Sequence, residues 1–149
     1  MAIGEFCNRE VVFATREMNI SEAAQLMREH HVGDLVVVDQ ADGKRVPVGI
    51  VTDRDMVIEV IARSLDLNEF SVGDIMGRQL VSVQEKEGVF ETIRLMRSNG
   101  VRRIPVLNPE GGLAGIVSAD DMLDLLAEEM SELAKITSRE QEREAKTRV

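Results

Sequence analysis

No tryptophan and no tyrosine occurs among the 149 residues, and phenylalanine appears only four times. That leaves no stacking platform of the kind single-strand nucleic-acid binders use, so any base held by this chain must lie against aliphatic side chains. Cationic residues are also scarce. Eighteen Lys and Arg against 27 Asp and Glu give a net charge of −9, which argues against nucleic-acid binding, because neutralisation of phosphates by Lys and Arg dominates that affinity. The single cysteine, Cys7, cannot pair within the chain; a reducing compartment follows, read here as cytoplasmic. No apolar run approaches the roughly 18 to 20 residues that cross a bilayer, and the opening MAIGEFCNREVV lacks the basic-then-apolar layout of a signal peptide. No membrane role is expected. What is present is the make-up of an ordinary globular protein, 44% hydrophobic and 30% charged, in a chain long enough to bury a core without staples.

Slid against itself, the chain repeats. The stretch ISEAAQLMREHHVGDLVVV from Ile20 lies over VFETIRLMRSNGVRRIPVL from Val89, an offset of 69 residues. Gly49-Ile50-Val51-Thr52 lies over Gly115-Ile116-Val117-Ser118, an offset of 66, and Asp55-Met56 over Asp121-Met122. The difference falls in DQADGKRVP against NPEGG, a loop, where an insertion costs least. Each copy reads as a short β-branched segment (11–13; 81–83), a helix with apolar residues at Ile20, Ala24 and Met27 or Val89, Ile93 and Met96, two strands joined through Asp42-Gly43 or Gly111-Gly112, and a second helix from Asp53 or Ala119. The unit is βαββα, twice over, and the fold class is α+β. Residues 1–67 form the first unit, 68–130 the linker and second unit, and 131–149 a charged helical tail.

One unit of about 60 residues would be marginal alone; two stacked units share a core. The second helices carry Met56, Val57, Val60 and Ile61, or Met122, Leu123, Leu125 and Leu126. This apolar surface is wider than one intrachain contact requires and predicts a further subunit. The tail has almost no apolar stripe past Ile136, and carries Glu142/Lys146 and Glu144/Arg148 at i,i+4 spacing. It reads as a solvated or fraying extension, with an interaction arm as the alternative.

Thr52-x-x-Asp55 and Ser118-x-x-Asp121 have the spacing of a capping box, in which a hydroxyl and a carboxylate satisfy the free amides of a helix start. The same geometry at a strand end offers amides, a hydroxyl and a carboxylate to a ribose or phosphate, and the two readings are compatible. Arg102 and Arg103 precede a strand; the guanidinium fork suits phosphate, while exposed ion pairs with the many acids are the plain alternative. The first copy has Gly33 and Asp34 there, and a carboxylate repels phosphate. His30 and His31 are adjacent and point about 100° apart on a helix, unlike the i,i+4 spacing of shared metal ligands. No metal site is expected, and no nucleophile or acid–base pair can be singled out, so the chain reads as a non-enzyme.

The doubled pattern of helix, apolar strand, hairpin, GIVTDRDM or GIVSADDM and helix resembles the cystathionine-β-synthase-type (CBS) domain pair, over roughly Val11 to Met130. The segment VGDIMGRQLVSV looks like that family's join between repeats. The resemblance implies two repeats packed face to face with pseudo-two-fold symmetry, forming two clefts that take adenine-containing ligands. It implies a stand-alone regulatory module, dimeric through its second helices, that signals by a change of shape or of affinity for a target protein the sequence does not identify. Arg102 and Arg103 become phosphate ligands, Ser118 and Asp121 ribose ligands, and Thr52 and Asp55 their counterparts in the other cleft. Val81 to Val83, Ile104 and Pro105 become the adenine lining, with plain sheet core an equal reading of the valines, and Val83 and Pro105 are carried forward as site residues. AMP heads the expected ligands, with ADP, ATP, NAD and S-adenosylmethionine in the same class. The cleft of Ser118 and Asp121 is expected to be the better nucleotide site, with the cleft served by the arginines left open because side chains of one repeat can reach across into the other's cleft. Gly77 departs from the Thr or Ser often found there, which removes one hydroxyl. The alternative is a ligand-free interaction and dimerisation module acting on an enzyme or transporter.

Overall fold

The first repeat begins with a two-residue strand, β1 (Phe13–Ala14), and then helix α1 (Ile20–His30). The Asn19 side chain accepts the Glu22 amide at 2.8 Å and so caps α1. Two β-branched runs, β2 (Asp34–Ala41) and β3 (Lys44–Thr52), then pair antiparallel. Asp42 and Gly43 between them take φ of 50° and 75°, the left-handed pair that a tight hairpin needs. Helix α2 (Asp53–Met56) follows and widens into a π-turn over Val57–Ile61. A short helix, α3 (Val72–Ile75), leads to the second repeat, with β4 (Val83–Gln84), α4 (Val89–Asn99), β5 (Arg103–Leu107), β6 (Leu113–Ser118) and α5 (Ala119–Thr147). The structure, a computed structural model, describes residues 1–77 and 79–148.

Each repeat has a three-stranded mixed sheet, in the order β1-β2-β3 and β4-β5-β6. The repetition extends to detail. The antiparallel register slips between Val37 and Val38 in one sheet and between Val106 and Leu107 in the other. α1 and α4 both end on a left-handed residue, His31 and Gly100.

The two repeats are tied by an exchange of segments. Ile3 and Gly4 donate their amides to Glu87 and Glu85 at 2.7 and 2.8 Å, and Val72 and Gly73 donate theirs to Met18 and Arg16 at 2.8 and 2.9 Å. Ile3 is thereby fully buried in the core of the second repeat, with Ile104, Val106 and Met122, and Val72 in that of the first, with Leu35, Val37 and Val60. Asn8 then exchanges two backbone hydrogen bonds with Ile116 on β6, both 2.9 Å. This crossing explains why glycine opens both G-I-V motifs. A Cβ on Gly115 would sit 2.5 Å from the Cys7 sulfur and 2.8 Å from the Asn8 carbonyl oxygen, and one on Gly49 3.0 Å from the Met76 sulfur.

The second helices divide their apolar residues as a half-buried face should. Met56, Val60, Met122 and Leu125 are buried; Val57, Ile61 and Leu123 are exposed. α5 continues unbroken to Thr147 and is exposed along its distal part.

Candidate functional site

Both helix starts predicted from sequence form with the same geometry. Thr52 Oγ1 accepts the Asp55 amide at 3.0 Å while Asp55 Oδ2 accepts the Thr52 amide at 2.9 Å. In the second repeat Ser118 Oγ accepts the Asp121 amide at 3.0 Å, and Asp121 Oδ2 the Ser118 amide at 3.0 Å. The amides of Asp53 and Ala119 are each satisfied by a carbonyl just before the first strand of the hairpin, Gly33 before β2 at 2.9 Å and Arg102 before β5 at 2.8 Å. Each helix start is thus locked to the tip of its own sheet, and neighbouring groups are held at fixed positions beside it.

Two clefts flank the pseudo-two-fold axis. The larger, about 520 Å³, takes Asp34, Thr52, Asp53 and Arg54 from the first repeat and Leu80, Val81, Arg102 and Arg103 from the second, with Ile50 and Gly77 also in its wall. The smaller, about 320 Å³, takes Val11, Val12, His31 and Asp34 from the first repeat and Ile116, Ser118 and Asp121 from the second, and Arg103 reaches it as well. Each cleft therefore combines the helix start of one repeat with the segments before β1 and β2, or before β4 and β5, of the other.

This placement of the arginines runs against the expectation that the Ser118 and Asp121 cleft is the better nucleotide site. Arg102 lines the Thr52 cleft, and Arg103 lies between the two. Face-to-face packing turns the tip of each sheet toward its neighbour's capping box. Two proposed adenine contacts also lie elsewhere. Val83 is buried in the core of the second repeat, and Pro105 is buried in β5 opposite Ile116; neither lines either of these two clefts, and strand alternation turns Val83 inward and leaves Val81 to line the larger one. Asp55 is committed to its cap, and it is Asp53 and Arg54 that line the Thr52 cleft. Asp53, Arg54 and Leu80 escaped the sequence reading, although the first two adjoin Thr52.

Arg103 forms a salt bridge with Asp34, through Nε and Oδ2. Asp34 is only 8% exposed, and burial pushes its carboxyl above the usual carboxylate range; Arg103 pulls it back and the Asp53 carboxylate pushes it up again. Arg103 is less buried. Arg102 makes a looser, exposed pair with Asp120 at 3.6 Å, of the kind worth little. An anion entering the larger cleft would therefore find Arg102 free to turn and Arg103 already oriented. At Gly77, in the wall of that cleft, a Cβ would meet nothing within 4 Å.

The family model of the CBS domain matches residues 3–62 and again 72–128, and the chain belongs to this family. An uncharacterized protein of Methanopyrus kandleri is 35% identical over 125 residues, 84% of this chain and 62% of its own length. Hypoxic response protein 1 of Mycobacterium tuberculosis is 32% identical over 124 residues, covering 83% of this chain and 84% of that protein. A crystal structure of Hypoxic Response Protein I with two coordinated zinc ions superposes with a TM-score of 0.72 at 30% identity, covering 83% of this chain and 98% of that one. The CBS domain pair of protein MJ0100, in complex with 5′-methylthioadenosine and S-adenosyl-L-methionine, superposes with a TM-score of 0.74 at 22% identity over 87% of this chain and 98% of that one. That last likeness concerns the fold. Among the described residues no helix is long and apolar enough to cross a membrane. CBS domain pairs are regulatory modules.

Proposed function

We propose that this protein is a non-catalytic sensor that binds an adenine-containing ligand in the Thr52 cleft and reports it by changing the relation of its two repeats. One observation carries the reading: the same cleft holds the cap of α2, two arginines from the opposite repeat, and an apolar wall of Ile50, Leu80 and Val81. An adenine fits between the aliphatic side chains, a ribose at the helix start, and a phosphate on Arg102 and Arg103. AMP heads the ligand class because the arginines favour phosphate; ADP, ATP, NAD and S-adenosylmethionine share the adenine. The MJ0100 pair, of the same fold, holds two adenine-containing ligands, which supports that class here. A ligand that draws the walls of this cleft together shifts the repeats only by its difference in affinity between the two arrangements.

The reading includes a homodimer through the second helices, supported by the exposed Val57, Ile61 and Leu123, in a cytoplasmic setting. A second reading is a ligand-free module that docks a target protein. It is favoured by the apolar groove of about 400 Å³ between α4 and α5, lined by Ile93, Met96, Met122 and Leu126.

The absorbance spectrum of the freshly purified protein tests the first reading. Without Trp or Tyr the chain is nearly dark at 280 nm, so co-purified adenine would dominate near 260 nm, and its mass would name the ligand. A blank spectrum followed by no heat with AMP, ATP, NAD or S-adenosylmethionine in calorimetry would leave the docking module as the function.

A further inference from the structure

α5 leaves the body of the protein after Leu126. Met122 and Leu125 are buried, whereas the helix is exposed from Ala127 onward to its end at Thr147. About 30 Å of helix thus projects exposed among the described residues, at 1.5 Å per residue, and in proteins most helical stability comes from packing of an amphipathic face. The projecting arm is not polar all round. Leu126, Met130, Leu133 and Thr137 recur at spacings of four, three and four, which places them on one line, as in the seam between two helices. Met130 is 69% exposed and Leu133 65%, with Ile136 beside them at 57%.

Charge says what covers that seam. From Ala119 to Ala134 the helix carries six acids (Asp120, Asp121, Asp124, Glu128, Glu129 and Glu132) and no base. From Lys135 to Arg148 the bases prevail, with Lys135, Arg139, Arg143, Lys146 and Arg148 against three glutamates. Two copies laid parallel would set acid beside acid. Laid antiparallel, they set the acidic stretch of each against the basic stretch of the other, within reach of screened attraction. The intrahelical pairs Lys135–Glu132, Arg139–Glu142 and Arg148–Glu144 are all exposed and hold their charges only weakly.

We propose that the α5 arms of two copies of this chain pair antiparallel, with Met130 of one against Leu133 of the other. The pairing rests on the arm and not on the dimer through the second helices proposed above, and the experiment separates the two. Sedimentation of the whole protein should show a dimer whose dissociation constant rises at least tenfold in Leu133→Lys and rises with salt. Leu133 is 65% exposed and belongs to neither core cluster of the described residues, so this variant does not compromise the core. In a Cys7→Ser background, a spin label at Lys146→Cys should report a distance of about 45 Å between copies, from the rise of two antiparallel helices. A parallel pair would bring the labels within about 20 Å, from the lateral spacing of packed helices, and that result overturns the proposal. So does a monomer at all concentrations, or a dimer tightened by salt. A dimer dissolved by Val57→Asp and untouched by Leu133→Lys likewise overturns the arm pairing and leaves the second-helix dimer standing.

Discussion

Asp34 and Arg103 occupy equivalent positions in the two repeats and are each other's partner across the pseudo-two-fold axis. In a symmetric pair of repeats the same residue would face itself there, like charge on like charge. Divergence at this one position turns a repulsion into a bond and places a guanidinium at the junction of both clefts.

Arg103→Ala should weaken AMP about 10- to 100-fold, the range for losing a charged hydrogen bond, and adenosine far less. Calorimetry with both ligands checks this. Equal losses would move the phosphate away from Arg103.

The same pair makes stability depend on pH. Burial, the largest influence, leaves the Asp34 carboxyl raised in the folded protein despite Arg103. The folded state then holds that proton more tightly than the unfolded chain, so the contribution is complete below the unfolded value of about 3.9 and is lost as pH rises through the raised folded value. Asp34→Asn has no such proton to lose. Urea unfolding from about pH 4 to about pH 7 should show the parent losing stability relative to Asp34→Asn as pH rises; a difference that moves the other way would mean that Arg103 outweighs burial.

Gly77 offers room where a hydroxyl would face the larger cleft. Gly77→Ser should leave the melting temperature nearly unchanged and tighten an adenine nucleotide about 2- to 10-fold, one hydrogen bond's worth. A weaker complex in calorimetry would place the ligand elsewhere.

Gly115→Ala should cost about 1 to 3 kcal/mol, as overpacking does, because its Cβ meets the Cys7 sulfur and the Asn8 carbonyl oxygen. Gly49→Ala should cost less, since Met76 is a flexible neighbour. Equilibrium urea denaturation of the two variants ranks them. The reverse order would mean that the crossing segment at Cys7 yields more easily than the one at Met76.

Local chemistry was legible in the sequence. Thr52 with Asp55 and Ser118 with Asp121 announce helix starts because a capping box closes within four residues, and both boxes form. Asp42-Gly43 announces its hairpin for the same reason. The assignment of Arg102 to a cleft was not legible, since which repeat's helix start it faces is decided by how two separate sheets dock. Whether Val83 and Pro105 line a cleft was not legible either, because an apolar strand residue reads alike whether it lines a cleft or fills a core. The exchanged segments did leave a trace. Ile3-Gly4-Glu5-Phe6 matches Val72-Gly73-Asp74-Ile75 at the same offset as the α1 and α4 repeat, but its partners lie in the opposite half of the fold, beyond the reach of any local rule.

Because Ile3 fills the second core and Val72 the first, neither half can be lifted out with its interior complete. Cut in two, the chain would yield two fragments, each missing a plug carried by the other. Mixed together, such fragments should complement one another, while either alone should stay molten. The stretch of chain that was duplicated is thus shorter than the smallest piece able to fold.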